Sequence, residues 1–285
     1  MKKIVSVLFL LILFKNYLPA QSITVATFNM RYSIENNHVK DSLNGESWRQ
    51  RGPVVAAMIR FHEMEIIGTQ ECLLHQLTDL TKWLPQYRYA GIGRDDGKTA
   101  GEFSAILYNE SRFKVLKQGN FWLSETPDKP SLGWDATCCN RICSWVYFEE
   151  LKSNKKFYVF NAHFDHQGMI ASKESAQLIL AKMNVIAGKN PVIFMGDLNG
   201  DRNSEWYKQI ASSEMLSDSY SHAKDPYENN GSFNGFGKAP TGEAVIDHVF
   251  ISSQFSVNKW GILTDTYHGN YPSDHFPVMV KLTIK

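Results

Sequence analysis

The sequence of 285 residues predicts an α/β protein in which two β-sheets pack together and helices cover their outer faces. Three observations lead to this prediction. Segments with helical spacing of apolar residues alternate with strand-like segments, the middle of the chain is a long series of strand-like segments, and several strands end on polar side chains. Helices interleaved with long β stretches fit two packed sheets better than one parallel sheet.

The segment 1–20 is predicted to be a secretory signal peptide. Lys2 and Lys3 precede an apolar run over residues 4–14, and Ala20 suits the last position before a cleavage site. The apolar run is too short to span a bilayer comfortably, so cleavage is favoured over the alternative of an uncleaved anchor. We therefore expect a protein exported to the periplasm or the extracellular space, with no stable membrane insertion after cleavage.

Residues 21–285 are expected to form one catalytic domain. No linker rich in Pro, Gly or Ser divides these 265 residues. They carry 27 Lys and Arg against 29 Asp and Glu, a net charge of −2. A protein that depends on non-specific nucleic-acid contact usually has a clear basic excess. A compact phosphorylated substrate is therefore at least as well supported as long DNA or RNA, and we expect a monomer.

The first half of the domain alternates strands with helices. Strands are predicted at 22–29 and 65–70, where β-branched and apolar residues dominate. Helices are predicted at 48–61 and 73–84, where apolar residues recur at helical spacing. The segment 31–47 is polar and irregular, and is predicted to be a loop.

The second half is richer in strands. Five strand-like segments follow one another, at 88–92, 103–108, 113–123, 142–149 and 157–163. A helix at 170–187, a buried strand at 192–195 and a helix at 204–211 come next, before a polar loop region over 212–242. Strands at 245–251 and 276–284 close the chain, with another strand expected between them.

The segment Gly196-Asp197-Leu198-Asn199 directly follows the apolar strand 192–195. Residues two apart in extended chain lie on the same side, so the carboxylate of Asp197 and the carboxamide of Asn199 can reach one spot. Hydrolytic sites use such a pair to orient water or to hold a metal-bound oxygen. The alternative is a turn whose Asp and Asn only satisfy their own backbone.

Other strand ends carry comparable polar groups. They are Asn29, Glu71, His163 with Asp165, Asp247 with His248, and Asp274 with His275. Open α/β folds gather their sites where strands end, because the loops there converge on one crevice. Carboxylates, amides and imidazoles without a matching excess of Lys indicate a hydrolytic site for a hard cation. His248 is left out because it points to the face opposite Asp247, and Asp165 is expected beside His163.

These motifs together resemble those of the endonuclease/exonuclease/phosphatase superfamily, the metal-dependent fold of DNase I-like nucleases and inositol-phosphate phosphatases. The matching motifs are Thr-Phe-Asn29, Gln70-Glu71, Asn161-Ala-His163, Gly196-Asp197-Leu-Asn199, Ile246-Asp247-His248 and Ser273-Asp274-His275. The resemblance spans nearly the whole mature chain. It implies a four-layer αββα sandwich of two mixed β-sheets flanked by helices, with the site at one end of the paired sheets.

The resemblance also implies a metal site. Glu71 would be the main carboxylate ligand of Mg²⁺ or Mn²⁺, with Asn29 near the metal and Asp274 as a further direct or water-mediated ligand. One strong carboxylate with more distant helpers suits Mg²⁺, which keeps several waters when it binds.

The remaining roles implied by the resemblance concern the phosphate and the attacking water. Asp197 would orient or deprotonate the water, with a metal-bound hydroxide as the alternative base. Asn199 and His163 would hold phosphate oxygens. His275 would stabilise the charge that develops on the phosphate, and Asp247 would fix its tautomer and keep it protonated.

Arg141 is a further candidate for binding the scissile phosphate. It directly precedes the strand 142–149, where the superfamily often places a phosphate-binding group. The forked donors of a guanidinium suit phosphate. Phe121, Trp122 and Trp134 could form an aromatic wall for a base, sugar ring or lipid headgroup. The alternative for Phe121 and Trp122 is a place in the core. The stretch around them also resembles a bacterial branch of the superfamily close to the deadenylase-like nucleases.

The sequence thus predicts an exported, Mg²⁺-dependent phosphoesterase that acts by in-line attack of activated water. A phosphodiester is favoured as substrate: a nucleic acid end, a nucleotide or a phospholipid headgroup. The alternatives are an inositol-phosphate-type phosphomonoesterase and a non-catalytic glycan- or surface-binding module on the same fold. The complete set of site residues argues against the binding module.

Four cysteines complete the set of reactive side chains: Cys72, Cys138, Cys139 and Cys143. Adjacent cysteines without a second Cys/His pair make a poor zinc site. A local disulfide from Cys138 or Cys139 to Cys143 suits an exported protein, and buried free thiols are the alternative.

Overall fold

The computed structural model describes residues 22–33, 38–238 and 244–285. The predicted signal peptide lies outside these residues. The helices are α1 His38–Leu43, α2 Trp48–Phe61, α3 Leu74–Trp83, α4 Met169–Ala187 and α5 Glu205–Ala211. The strands are β1 Ser22–Asn29, β2 Ile66–Gln70, β3 Tyr87–Ala90, β4 Ile106–Asn109, β5 Phe113–Trp122, β6 Ile142–Glu150, β7 Lys156–His163, β8 Val192–Asp197, β9 Ser217–Asp218, β10 Asp247–Ile251, β11 Phe255–Ile262 and β12 Val278–Ile284.

These strands form two six-stranded mixed sheets. The first has the order β11-β12-β1-β2-β4-β3, and the second has the order β5-β6-β7-β8-β10-β9. In each sheet one central pair is parallel, β1 with β2 and β7 with β8, while the other pairs are antiparallel. The prediction of two mixed sheets is confirmed.

The sheets pack face to face and helices cover both outer faces, which gives the predicted four layers. Strand β1 shows how alternation builds them, because Val25 lies in the core between the sheets and Phe28 in the core under α2 and α3. In the second sheet, Met195 faces the inter-sheet core and Phe194 packs under α4 and α5. Strands covered on both faces are almost continuously apolar, as the segment 192–195 is.

A buried polar network joins the two sheets next to the site. The Asn161 amide on β7 donates to the carbonyl oxygens of Thr69 and Ala105, each at 2.9 Å, and so reaches the opposite sheet. Its oxygen accepts from Gln70 Nε2 at 2.7 Å. Asn161 uses both its donors and its acceptor, although the Gln70 amide oxygen has no partner among the described residues, and a buried amide bonded in this way is rigid and specific in register. This network therefore sets the end of β2 against the end of β7.

The structure extends or shifts several predicted elements. A short helix, α1, lies within the predicted loop 31–47, and β9 with two short 3₁₀ helices lies within 212–242. Strand β8 continues through Gly196 to Asp197. A Cβ at Gly196 would collide with the carbonyl oxygen of Ala162, so glycine is required by the close approach of β7 rather than by a turn.

The predicted disulfide to Cys143 is wrong. Cys138 pairs with its neighbour Cys139, while Cys143 is a buried free thiol. Alternation along β6 directs Cys143 into the core under α4. Cys139 lies in the loop before β6 and lines a cavity, so the two side chains do not meet. Cys72 is also a buried free thiol. Phe121 and Trp122 are 2 % and 6 % exposed and lie in the core. For these two residues the alternative of a core position is confirmed, and the prediction of an aromatic wall is wrong.

Candidate active site

The strand ends that carry the predicted site residues meet at one edge of the sandwich. Strands β1, β2, β7 and β8 present their carboxyl ends there. Strands β10 and β12 run antiparallel to their neighbours, so the residues at and before their amino ends reach the same edge. Asp247 is directly opposite Asp197 in this register. The parallel or antiparallel direction in which the strands pair therefore brings the polar strand ends together, and the sequence does not show this direction.

Glu71 and Asn29 are in direct contact. The Asn29 amide nitrogen donates to Glu71 Oε1 and to Asp197 Oδ2, at 3.0 Å each. Asn29 thus holds two carboxylates in place, one from each sheet. Burial raises the pKa of Glu71, but the charge of Arg31 and the bond from Asn29 outweigh this, and its pKa lies below the ordinary value. Glu71 is therefore an anion at neutral pH.

Arg31 is a site residue that sequence reasoning missed. Its Nη1 lies 3.4 Å from Glu71 Oε2 and its Nε lies 3.6 Å from Asp274 Oδ2. The signal was available, since Arg31 lies two residues beyond Asn29 and extended chain puts such residues on one side. Glu71, Arg31 and Asn199 all have positive φ, at 62°, 51° and 45°. Left-handed backbone at non-glycine residues is concentrated at functional sites.

The donor set around Arg31 fits a hard divalent cation. Glu71 and Asp274 direct carboxylate oxygens at one guanidinium, which shows that a single positive group is favoured between them. Burial raises the pKa of Asp274, the charge of His275 opposes this, and the charge of Glu71 adds to the rise. Two carboxylates that disfavour each other's charge gain from a cation, and oxygen ligands suit Mg²⁺ or Mn²⁺.

His275 lies between two aspartates. Its Nδ1 is 2.9 Å from Asp247 Oδ2 and its Nε2 is 3.8 Å from Asp197 Oδ2. Burial lowers the pKa of His275, but the charges of Asp247 and Asp197 outweigh burial and raise it to about 10. The ring is therefore an imidazolium at neutral pH. These three side chains offer ligand atoms within 4.8 Å of one another, but an imidazolium has no free nitrogen to coordinate a metal, so Glu71 and Asp274 are the better cation site.

Asp197 has the character of a general base. Burial raises its pKa to about 6, the charge of Asp247 adds to this, and His275 opposes it. Its Oδ1 accepts from the backbone N–H of Asn199 at 2.9 Å. A buried carboxylate that is deprotonated at pH 7 but retains some basicity suits the removal of a proton from water.

His163 is held as a neutral ring. Burial lowers its pKa well below the ordinary value, and the charges of Arg141 and Arg94 lower it further. Its Nε2 lies 3.1 Å from the Asn199 amide nitrogen, which also donates to the Phe164 carbonyl at 3.0 Å. The same Nε2 lies 3.5 Å from Asp197 Oδ2, while Nδ1 is buried without a hydrogen-bond partner among the described residues. Asn199 thus orients His163.

Arg141 lies in the wall of the same cavity. Its Nε is 3.4 Å from Asp165 Oδ2 and its Nη2 is 2.8 Å from His166 Nδ1. Asp165, expected beside His163, instead holds Arg141 and accepts from the backbone N–H groups of Gln167 and Gly168. His248 points away, as expected, and its Nε2 lies 3.0 Å from the Gly200 carbonyl.

The cavity that these residues line has a volume of about 840 Å³. Glu71, His163, Asp197, Asn199, Asp274 and His275 lie in its wall together with Arg31 and Arg141. Sequence reasoning also missed Arg94 and Glu102, which line it from the connection between β3 and β4. No strand precedes either residue directly, so no local pattern could have singled them out. The set supports binding of a phosphate between a cation site and an imidazolium.

Comparison with known proteins gives one family. The model of the endonuclease/exonuclease/phosphatase family matches residues 26–275. An endonuclease/exonuclease/phosphatase family protein of Bacteroides thetaiotaomicron is 45 % identical, with a TM-score of 0.88 over 93 % of this chain and 98 % of that one. A mannosyl-6-phosphatase of that organism is also 45 % identical, with a TM-score of 0.87 over 92 % and 100 %. The human nocturnin catalytic domain, 18 % identical with a TM-score of 0.70 over 93 % and 94 %, shares the fold alone.

Proposed function

This chain belongs to the endonuclease/exonuclease/phosphatase family, and we propose that it is a divalent-metal-dependent hydrolase that removes phosphate from a small hydroxylated molecule. The observation that carries the proposal is the arrangement around one cavity of the Glu71–Asp274 pair, the buried base Asp197 and the His275 imidazolium. Each of these groups suits one requirement of phosphate-ester hydrolysis, namely a cation site, a proton acceptor and a donor to the phosphate oxygens.

Glu71 and Asp274 would hold the cation, which supplies neutralisation of charge on the phosphate oxygens when it is bound. Asn29 keeps Glu71 and Asp197 aligned through its two 3.0 Å hydrogen bonds. Asp197 takes a proton from the water that attacks phosphorus. The bond from phosphorus to the leaving alcohol oxygen breaks as the new P–O bond forms. The alcohol oxygen takes up a proton from the solvent, and Asp197 then releases its proton to the solvent.

The His275 imidazolium lines the same cavity and would donate to the phosphate oxygens as their charge grows. Asp247 keeps that ring charged through the 2.9 Å bond to Nδ1. His163 and Arg141 border the same space. The Asn199 amide nitrogen lies 3.1 Å from His163 Nε2, so Asn199 sets the orientation in which His163 borders this space.

A phosphomonoester is favoured over the phosphodiester that the sequence suggested. A monoester carries up to two negative charges, and the cavity wall carries Arg141 and the His275 imidazolium in addition to a cation site. The mannosyl-6-phosphatase that is 45 % identical over 92 % of this chain supports the same choice. The mature net charge of −2 gives no general attraction for long nucleic acid.

The test is turnover by the purified chain without residues 1–20. Hexose 6-phosphates, inositol phosphates, nucleotides, bis(p-nitrophenyl) phosphate, DNA, RNA and sphingomyelin are offered with Mg²⁺ or Mn²⁺. We expect release of inorganic phosphate from monoesters, and loss of about 10³-fold in kcat in Asp197→Asn. Asp225→Asn, an exposed residue outside the cavity, is the matched control and should act like the original protein.

Preferential cleavage of a diester would contradict the choice of substrate. Equal activity of Asp197→Asn and Asp225→Asn would contradict the assigned base. Folded, metal-binding protein that turns over none of these substrates would favour the non-catalytic binding module. Export is part of the proposal, and it rests on the basic and apolar pattern of residues 1–20; fractionation of cells that express the full chain tests it.

A further inference from the structure

Besides the phosphate-binding groups, the cavity is lined by a second polar wall. This wall is built by the connection between β3 and β4, with Arg94 and Glu102, and by the residues around Arg141. A volume of about 840 Å³ is that of a pocket which encloses a whole small molecule. The cavity can therefore hold the alcohol part of a phosphate ester as well as the phosphate.

Arg94 and Glu102 form a well-supported pair. They face each other across a short hairpin, where the Arg94 backbone N–H donates to the Glu102 carbonyl at 3.1 Å. Their side chains meet with 2.7 Å between Nη1 and Oε2. The Arg94 carbonyl accepts from Trp122 Nε1 at 2.7 Å and from Asn140 Nδ2 at 3.3 Å. The hairpin is thus fixed to the core before any ligand binds, as a recognition site requires.

The pair is costly for the fold. Arg94 is 9 % exposed, and its Nε is buried without a hydrogen-bond partner among the described residues. Burial raises the pKa of Glu102 to about 7, although Arg94 opposes this. The nearby charge of Glu71 contributes to this rise. A buried ion pair with an unsatisfied donor is weak evidence for a role in stability. Its position in the cavity wall suggests a role in binding.

The chemistry of the pair matches hydroxyl groups. A guanidinium only donates and a carboxylate accepts, while each hydroxyl of a sugar ring does both. A second phosphate would be repelled by Glu102 and Glu71. A nucleobase usually stacks on an aromatic ring, and the aromatic residues that line the cavity, Tyr32 and Phe233, pack against Arg31 and His275 respectively. Neighbouring hydroxyls on a ring can bridge Arg94 and Glu102, because they are not repelled by carboxylates and need no aromatic ring to stack on.

We propose that Arg94 and Glu102 form a subsite that binds ring hydroxyls of a phosphorylated sugar and so sets the specificity of the enzyme. The proposal deepens the proposed function and rests on it for the position of the phosphate. Both residues act by positioning the alcohol part of the substrate. Their loss should therefore affect sugar esters far more than esters that have no hydroxyls.

The experiment compares mannose 6-phosphate with p-nitrophenyl phosphate, which carries the same phosphate but no hydroxyl groups. In Glu102→Gln and Arg94→Lys we expect KM for mannose 6-phosphate to rise about tenfold or more, the effect of losing one charge-assisted hydrogen bond. kcat/KM for p-nitrophenyl phosphate should fall by a much smaller factor than that for mannose 6-phosphate. Glu110→Gln is the matched control, because Arg88 and Glu110 form a 2.6 Å ion pair outside the cavity.

Equal losses on both substrates, or an unchanged KM for mannose 6-phosphate, would overturn the proposal. Binding of mannose 6-phosphate to the Asp197→Asn background, measured by calorimetry with and without Glu102→Gln, gives a second readout that does not need turnover. If the original protein cleaves no phosphate ester, the proposed function fails, and this binding comparison still decides the subsite. Thermal unfolding checks the fold of each variant, and Arg94→Lys decides if Glu102→Gln fails to fold.

Discussion

Arg51, on α2, is predicted to hold the two chain segments that carry the cation site. Its side chain is 1 % exposed and donates to backbone carbonyl oxygens: to Met30 and Arg31 after β1, to Pro272 at 3.3 Å and to Glu46 at 2.9 Å. The described residues give it no carboxylate within ion-pair distance. The perturbation is Arg51→Met, which keeps most of the apolar stem and removes every donor.

The magnitude follows from two opposing contributions. Hydrogen bonds from a charged group stabilise by about 1.5–3 kcal/mol each, so four carbonyl acceptors suggest about 8 kcal/mol in total. Burial lowers the pKa of Arg51 from 12.5 to about 10, which corresponds to a cost of about 3 kcal/mol for keeping it charged. The net loss of unfolding free energy in Arg51→Met is therefore about 4–5 kcal/mol.

Urea denaturation at pH 7 measures this loss, and thermal unfolding should show a decrease in Tm of about 10 °C. Arg49→Met, at an exposed position of the same helix, is the matched control and should change stability by less than about 0.5 kcal/mol. Affinity for Mg²⁺ should also fall in Arg51→Met, because Arg31 and Asp274 adjoin the freed carbonyls. Equal stability of the two variants would refute the reasoning.

Three further predictions concern the site and the joint between the sheets. The raised pKa of His275, about 10 against 6.5, means that its stabilisation of the fold is complete below pH 6.5 and is lost as pH rises towards 10. Asp247→Asn should lower the pH at which this stabilisation is lost by about 2 units or more, and it should lower the alkaline limb of kcat/KM by the same amount. An unchanged pKa of His275 in NMR titration would contradict this. Glu71→Ala should weaken Mg²⁺ binding in calorimetry more than Asn199→Ala does, and equal affinities would show that Glu71 is not the main ligand. Asn161→Leu removes three buried hydrogen bonds, although the Ala105 carbonyl still accepts from the Thr69 backbone N–H, and it should cost about 3 kcal/mol in urea denaturation. A cost below about 1 kcal/mol would be evidence against the network.

The sequence predicted most of the fold because its signals are local. Periodicity of apolar residues gave α2 with the observed limits, 48–61, and most of the strands within a few residues. Helix α1 was missed because six polar-rich residues in an irregular segment carry little periodicity. The polar strand ends were also predicted from local sequence. An acid such as Glu71 directly after a strand-like segment is recognisable without knowledge of what it contacts.

The sequence by itself determined which elements form and which polar residues end them, because alternation and helical spacing depend on neighbours along the chain. Only the tertiary structure decided which of those ends meet. The antiparallel register that sets Asp247 opposite Asp197, and the contact of Arg51 with a carbonyl 221 residues away, depend on sheet order and packing. The Arg94–Glu102 wall and the Cys138–Cys139 pair belong to loops, whose paths are set by what they pack against rather than by their own residue pattern.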